Sequence, residues 1–183
     1  MPVRRLGWIP VLVWLLSSCA QPPTGAPPSA QPSSPERTPA TTVAPSITRD
    51  VPPEQRRRLA DVPQLCDLVS PQELGELAFP VDPGRPRDTG FNPPVRGCTY
   101  QETNGSRSVL IGQQPTGYAA LGRTEVELGA VPGTRTLNAG DCTVFAGVSG
   151  AVLQVSVTAD EATSEQCDAA QGIAQYVLAG LVV

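Results

Sequence analysis

The stretch DCTVFAGVSGAVLQVSVTAD, residues 141–160, decides the fold class. Val155 and Val157 alternate with Gln154, Ser156 and Thr158, the two-residue period of a strand with one face in a core and one in water. Arms at 143–147 and 151–158 flank Val148-Ser149-Gly150, where glycine suits a tight reversal. The stretch therefore reads as an antiparallel hairpin.

A second hairpin lies upstream in CTYQETNGSRSVLIGQQ, residues 98–114. Thr99, Gln101 and Thr103 alternate with Cys98, Tyr100 and Glu102, and Val109-Leu110-Ile111 follows the turn. Asn104-Gly105 supplies the positive φ that such a turn needs. Asn104-Gly105-Ser106 also matches a glycosylation sequon, but the turn accounts for it.

Helices frame these hairpins. Ser70 reads as an N-cap, Pro71 as the first helical residue and Glu73 as the closing member of a capping box. Leu74, Leu77 and Ala78 share one face, Gly75 weakens the helix and Pro80 ends it. Residues 164–183 place Cys167, Ala170, Ala174, Val177, Leu178 and Leu181 at three- and four-residue steps, with Ile173 widening the stripe. The expected fold is a two-layer α+β domain over residues 61–183: an antiparallel sheet of about four to six strands, a short N-terminal helix, and a C-terminal helix packed on one face. Residues 81–95 read as a long loop. Residues 118–128 are ambiguous between helix and strand, and 112–141 carries no clear pattern.

The N-terminal third has another character. The chain has 183 residues with 21 Pro and 17 Gly, and the prolines crowd its beginning. Arg4 and Arg5 precede an apolar run, residues 6–16, about half the roughly 20 residues that a spanning helix needs. Residues 1–18 read as a signal peptide. Leu16-Ser17-Ser18-Cys19 resembles a bacterial lipobox. That resemblance implies cleavage between Ser18 and Cys19, a thioether-linked diacylglyceryl group on Cys19, and a place on the extracytoplasmic face of the cell membrane. Two acyl chains anchor stably where one does not, each buried methylene contributing about 0.8 kcal/mol. From Cys19 to residue 60 the chain reads as a disordered, Pro-rich tether.

All 13 basic residues are arginine, against 17 acids. Removing residues 1–18 leaves 11 Arg and a balance of −6, which gives no general attraction for nucleic acid. Arg56-Arg57-Arg58 reads as a solvated triplet, with a wall polyanion as its alternative partner. Arg85, Arg87 and Arg96, flanking the 81–95 loop beside Asp82 and Asp88, are the candidates for an anionic ligand.

With Cys19 given to lipid, Cys66, Cys98, Cys142 and Cys167 remain. An even number in an oxidising compartment points to two disulfides. Three pairings are possible. Cys66–Cys98 with Cys142–Cys167 is favoured, because it ties the helical region to the first hairpin and the last helix to the sheet. The chain contains no His and no CxxC, so neither a metal centre nor a Ser-His-Asp or Cys-His nucleophile is expected, and no cofactor motif is present. AGVSGA around Ser149 is not a nucleophile elbow. Glu125 with Glu127, or Asp160 with Glu161, could serve a carboxylate-dependent enzyme, although at an exposed strand end or helix start such acids are more often solvated or dipole-stabilising charges.

CDLVSPQELGEL from Cys66, GCTY from Gly97 and CDAAQGIAQYVLAGL from Cys167, behind a lipobox and a Pro-rich tether, resemble the actinobacterial lipoproteins of domain of unknown function 3558, over about residues 62–183. The resemblance implies an exported lipoprotein with an α+β domain and brings no catalytic residues. The function expected is that of a monomeric, non-catalytic binding or accessory module for an envelope protein or cell-wall component. The alternatives are an enzyme acting on wall polymer and a carrier of a small lipid-like ligand.

Overall fold

The computed structural model describes residues 45–89 and 95–183, all within one structural unit, Thr38–Val183. Residues 1–44, with the expected signal peptide, Cys19 and most of the expected tether, lie outside the described residues, as do 90–94.

The two alternating stretches become sheet, and further strands flank them. Seven strands, β1 (Arg85–Thr89), β2 (Val95–Gln101), β3 (Ser108–Gln114), β4 (Thr124–Leu128), β5 (Val131–Leu137), β6 (Asp141–Val148) and β7 (Ala151–Thr158), form one sheet in the order β1-β2-β3-β7-β6-β5-β4. Every pairing is antiparallel. Helix α1 (Pro71–Leu77) precedes the sheet, and α2 (Ser164–Leu178) follows it and packs on β6 and β7. No helix among the described residues is long and apolar enough to cross a membrane.

The fold class is the α+β expected, with more strands. Residues 85–89, expected within a loop, form β1. Pro86 is tolerated because β1 is an edge strand, where a missing N–H breaks no ladder. Within 118–128, only Thr124–Leu128 is strand. β5 contains Pro132 and Gly133, both turn residues in isolation. Glycine is needed at 133 because a Cβ there would lie 2.7 Å from both Leu128 Cδ1 and Phe145 O.

Both helix starts are capped as their sequences imply. Ser70 Oγ accepts from Glu73 N at 3.2 Å and Glu73 Oε2 accepts from Ser70 N at 2.6 Å. Thr163 and Gln166 form the equivalent box at α2. α2 stops at Leu178; the chain continues into a parallel bridge between Leu181 and Arg57.

That bridge moves the domain boundary. The expected start at residue 61 falls inside the fold, because residues 45–60 lie on it. Leu59 is fully buried, Ile47 packs against the core, and Arg49 Nη1 donates to Leu68 O at 2.9 Å.

The core lies between the sheet and its helical cover. Leu74, Ile111, Val155, Val157, Ile173 and Leu181 are fully enclosed there. Cys66 bonds Cys98 and Cys142 bonds Cys167, with Cα–Cα distances of 5.1 and 5.0 Å. The first ties the segment before α1 to β2, and the second ties α2 to β6. Their loops of 32 and 25 residues correspond to about 3.5 kcal/mol each in the chain-entropy account. Tyr100 reinforces the first tie, its hydroxyl proton shared between Val69 O at 2.8 Å and Cys66 O at 3.1 Å. Burial, then the charges of Asp67 and Glu73, push its pKa up to about 12.

The β2–β3 turn is wider than a two-residue reversal. Glu102 N donates to Arg107 O, leaving four residues at the tip, and Asn104 has the positive φ of 64°. Gly105 serves a different need: a Cβ there would collide with the Glu102 side chain, which folds over the turn to meet Arg107.

Candidate functional site

Pleating sends alternate residues to the face away from α2. In the middle of that face the polar groups bond one another. The Gln114 amide donates to Gln154 Oε1, and Gln154 Nε2 donates to Ser156 Oγ at 3.1 Å. Ser156 and Thr143 share a hydroxyl hydrogen bond of 2.7 Å, Thr143 donates to Asp141 Oδ2 at 2.8 Å, and Asn138 Nδ2 donates to Asp141 Oδ1 at 3.1 Å. Such a chain fixes strand register and leaves few groups for a ligand.

The segment 115–123 joins β3 to β4 across this same face. Ala119 O accepts from Thr134 Oγ1 at 2.7 Å and Gly122 N donates to Thr134 Oγ1 at 3.0 Å. The β5–β6 half of the face is thereby covered, and Phe145 beneath is buried. The β1–β2 half carries no such cover among the described residues.

There the edge strand and its neighbour enclose a cleft of about 350 Å³, lined by Asp82, Arg85, Pro86, Arg87, Thr99 and Gln101. Arg85 stands opposite Thr99 and Arg87 opposite Gly97, so both arginines share the face of Thr99 and Gln101. Both are exposed, and among the described residues neither has a hydrogen-bond or ion-pair partner. Thr99 Oγ1 is buried and has no partner among the described residues. Gln101 donates through Nε2 to Arg107 O at 2.9 Å, keeping Oε1 as an acceptor. Asp82 Oδ1 accepts from Thr103 Oγ1 at 2.8 Å. Gly84 lets the chain approach: a Cβ there would lie 2.6 Å from both Cys98 Sγ and the Tyr100 ring.

The third sequence candidate, Arg96, stands opposite Asp88, on the other pleat of the sheet from the pair. Arg96 Nη2 donates to Pro63 O at 2.7 Å and Val62 O at 3.1 Å, holding the segment before α1 to β2. Arg96 also lines a second hollow, of about 310 Å³ with Gln64, Arg87 and Asp88, but its guanidinium is committed to those carbonyls. Of the triplet, Arg56 Nε donates to Val51 O at 3.1 Å, and all three side chains are exposed.

The acid pairs are dispersed. Glu125 and Glu127 are exposed on β4, the opposite edge of the sheet, beside an open hollow with Ala119, Ala120 and Pro132. Asp160 accepts from Ser106 at 3.1 Å. Ser149 sits in the β6–β7 turn, its N–H on Val182 O at 3.1 Å. Among the described residues no three of His, Cys, Asp and Glu are grouped to hold a metal ion.

Two ionic arrangements lacked any sequence signal. Arg107 donates to Glu102 at 2.9 Å and 2.5 Å and stacks 4.1 Å above the Phe79 ring; its hydrogen bonds hold the Glu102 carboxyl below the usual range. The Tyr176 hydroxyl donates to Glu73, and Arg49 lies over the Tyr176 ring. Burial raises the Glu73 pKa, but hydrogen bonds from Tyr176 and Ser70 outweigh it and the net shift is downward. Burial, then the bond to Glu73, push Tyr176 up to about 12.

The profile of the family described as protein of unknown function (DUF3558) matches residues 14–179. The chain belongs to this family. The match begins at Trp14 and so spans Leu16–Cys19 and the Pro-rich segment as well as the domain. No curated protein and no solved structure matches the chain.

Proposed function

We propose that this DUF3558 member is an exported lipoprotein, held on the extracytoplasmic face of the cell membrane by a diacylglyceryl group on Cys19, whose domain binds a partner at the envelope without catalysis. The observation that carries the reading is the division of the cysteines. Cys66, Cys98, Cys142 and Cys167 are consumed by two internal disulfides. Cys19 stands apart, directly after a short apolar run and Leu-Ser-Ser. Its place inside the family match supports the same reading.

The non-catalytic part rests on the sheet. The polar side chains at the centre of the face away from α2, Asp141 among them, are bonded to one another, and the pairs Glu125/Glu127 and Asp160/Glu161 lie apart. A binding role needs only a firm platform, which the disulfide and Tyr100 supply beneath β2.

Palmitate labelling and detergent phase partition test the anchor. The parent chain is expected to take up label and enter the detergent phase. Cys19→Ser is expected to lose label and move to the aqueous phase. An unlabelled parent chain in the aqueous phase contradicts the reading.

A further inference from the structure

We propose that the cleft between β1 and β2 binds an oxyanion, a phosphate or carboxylate, carried on a polyhydroxylated chain, with Arg85 and Arg87 as the anion's partners. This rests on the reading that the domain faces the envelope, and it deepens that reading by naming the chemistry of the ligand.

Charge comes first. The chain without residues 1–18 carries a balance of −6, yet Arg85 and Arg87 place two guanidiniums, unpaired among the described residues, on one face of one strand. Their Cα atoms are about 7 Å apart by strand rise. A guanidinium presents a planar fork that matches carboxylate or phosphate with two parallel hydrogen bonds. On an otherwise acidic protein, such a pair creates a local reversal of field that draws an anion to one place.

The platform comes second. β1 pairs with β2 along all five of its residues. β2 is fixed from beneath by Cys66–Cys98 and by Tyr100. The arginines thus stand on a rigid strand, which lowers the ordering cost of binding.

The class of ligand follows from the remaining groups. Pro86 removes an N–H from the outer edge of the sheet, which opposes addition of a peptide strand. The floor and rim instead offer isolated acceptors and donors: the Thr99 hydroxyl, buried and unpartnered, the Gln101 Oε1, and the Asp82 carboxylate. Asp82 repels a bare anion and accepts from hydroxyls. Guanidiniums beside hydroxyl acceptors suit an anionic sugar or polyol better than an acidic peptide.

The test uses the full chain in detergent micelles and four fluorescein-labelled polymers: polyglycerol phosphate, polygalacturonate, neutral dextran and polyglutamate. Fluorescence anisotropy is read at low salt, where screening is weak. Binding to polyglycerol phosphate or polygalacturonate, with at least about tenfold preference over dextran and polyglutamate, is expected, and the better of the first two identifies the oxyanion's source. R85Q/R87Q is expected to weaken that binding about tenfold or more. R85K/R87K should retain part of it, and Arg123→Gln, an exposed arginine before β4, should stay within about twofold. Thermal melting of each variant establishes that it is folded.

No binding to either anionic polymer overturns the proposal. So does binding that R85Q/R87Q leaves unchanged, or polyglutamate binding of equal strength. The anchor is read separately: an unlabelled Cys19 leaves the cleft standing, and an inert cleft leaves the anchor standing.

Discussion

The two faces of the sheet use similar strands for different ends. Towards α2, Val109, Ile111, Val144, Val155 and Val157 are buried, and both disulfides and the Tyr100 hydroxyl tie the helical layer down. Away from α2, the same strands present Gln114, Gln154, Ser156, Thr143 and Asp141, bonded in a chain. Arg85 and Arg87 stand on the edge strand β1, and Glu125 and Glu127 on the opposite edge, β4. Stability thus resides on one face, and the groups free to meet a partner stand on the other. The arginine edge is underlain by a disulfide and the segment 115–123 leaves it open, which is why we propose that edge for contact.

Breaking the helix face should give the largest effect. The double variant Cys142→Ala/Cys167→Ala releases α2 from β6 and is expected to lower unfolding free energy by about 3.5 kcal/mol, read as a shift of the urea midpoint. Tyr100→Phe leaves Val69 O and Cys66 O without their donor and should lower stability by about 2 kcal/mol. An unchanged midpoint in either case would mean that the helical layer is held by apolar contact alone.

A subtler effect separates the helical layer by pH. The folded Glu73 carboxyl lies below its ordinary value of 4.5, so the stability it contributes is present above that pH. It is lost as pH falls through the folded value. Tyr176→Phe removes one of the hydrogen bonds that lower it. The stability gap between parent and variant, from urea titrations at pH 6 down to pH 3, should therefore narrow on acidification. A constant gap would show that the Tyr176 hydroxyl does not act through Glu73.

The smallest expected effect is on the opposite face. R85Q/R87Q breaks no hydrogen bond within the described residues and should change stability by less than about 0.5 kcal/mol. A larger loss would make the arginines part of the scaffold.

The helix face was the more legible in sequence, because its signals are local and periodic. The α2 stripe, both hairpins and the Ser70 capping box are each contained in a short window. β1 and β5 were hidden because Pro86, Pro132 and Gly133 read as turn residues, and only the tertiary setting, an edge position and a crowded Cβ site, makes them strand. The start of the domain was placed late for a related reason: residues 45–60 are Pro-rich, yet Leu59 and Ile47 reach the core.

The site was legible as residue types and not as a juxtaposition. Arg85 and Arg87 stood out, but with β1 unseen nothing set them beside Thr99 and Gln101. Arg96 belonged to the same sequence cluster, yet its partners are carbonyls 33 and 34 residues away, a separation that no local pattern encodes.

The central claim, that contact belongs to the β1–β2 edge, is tested most directly by backbone amide shifts of the full chain in micelles, recorded while polyglycerol phosphate and polygalacturonate are titrated in. The account predicts shifts confined to residues 82–89 and 97–101, absent in R85Q/R87Q. Shifts centred on Tyr118 and Leu121 in the covering segment, or on α2, would contradict it.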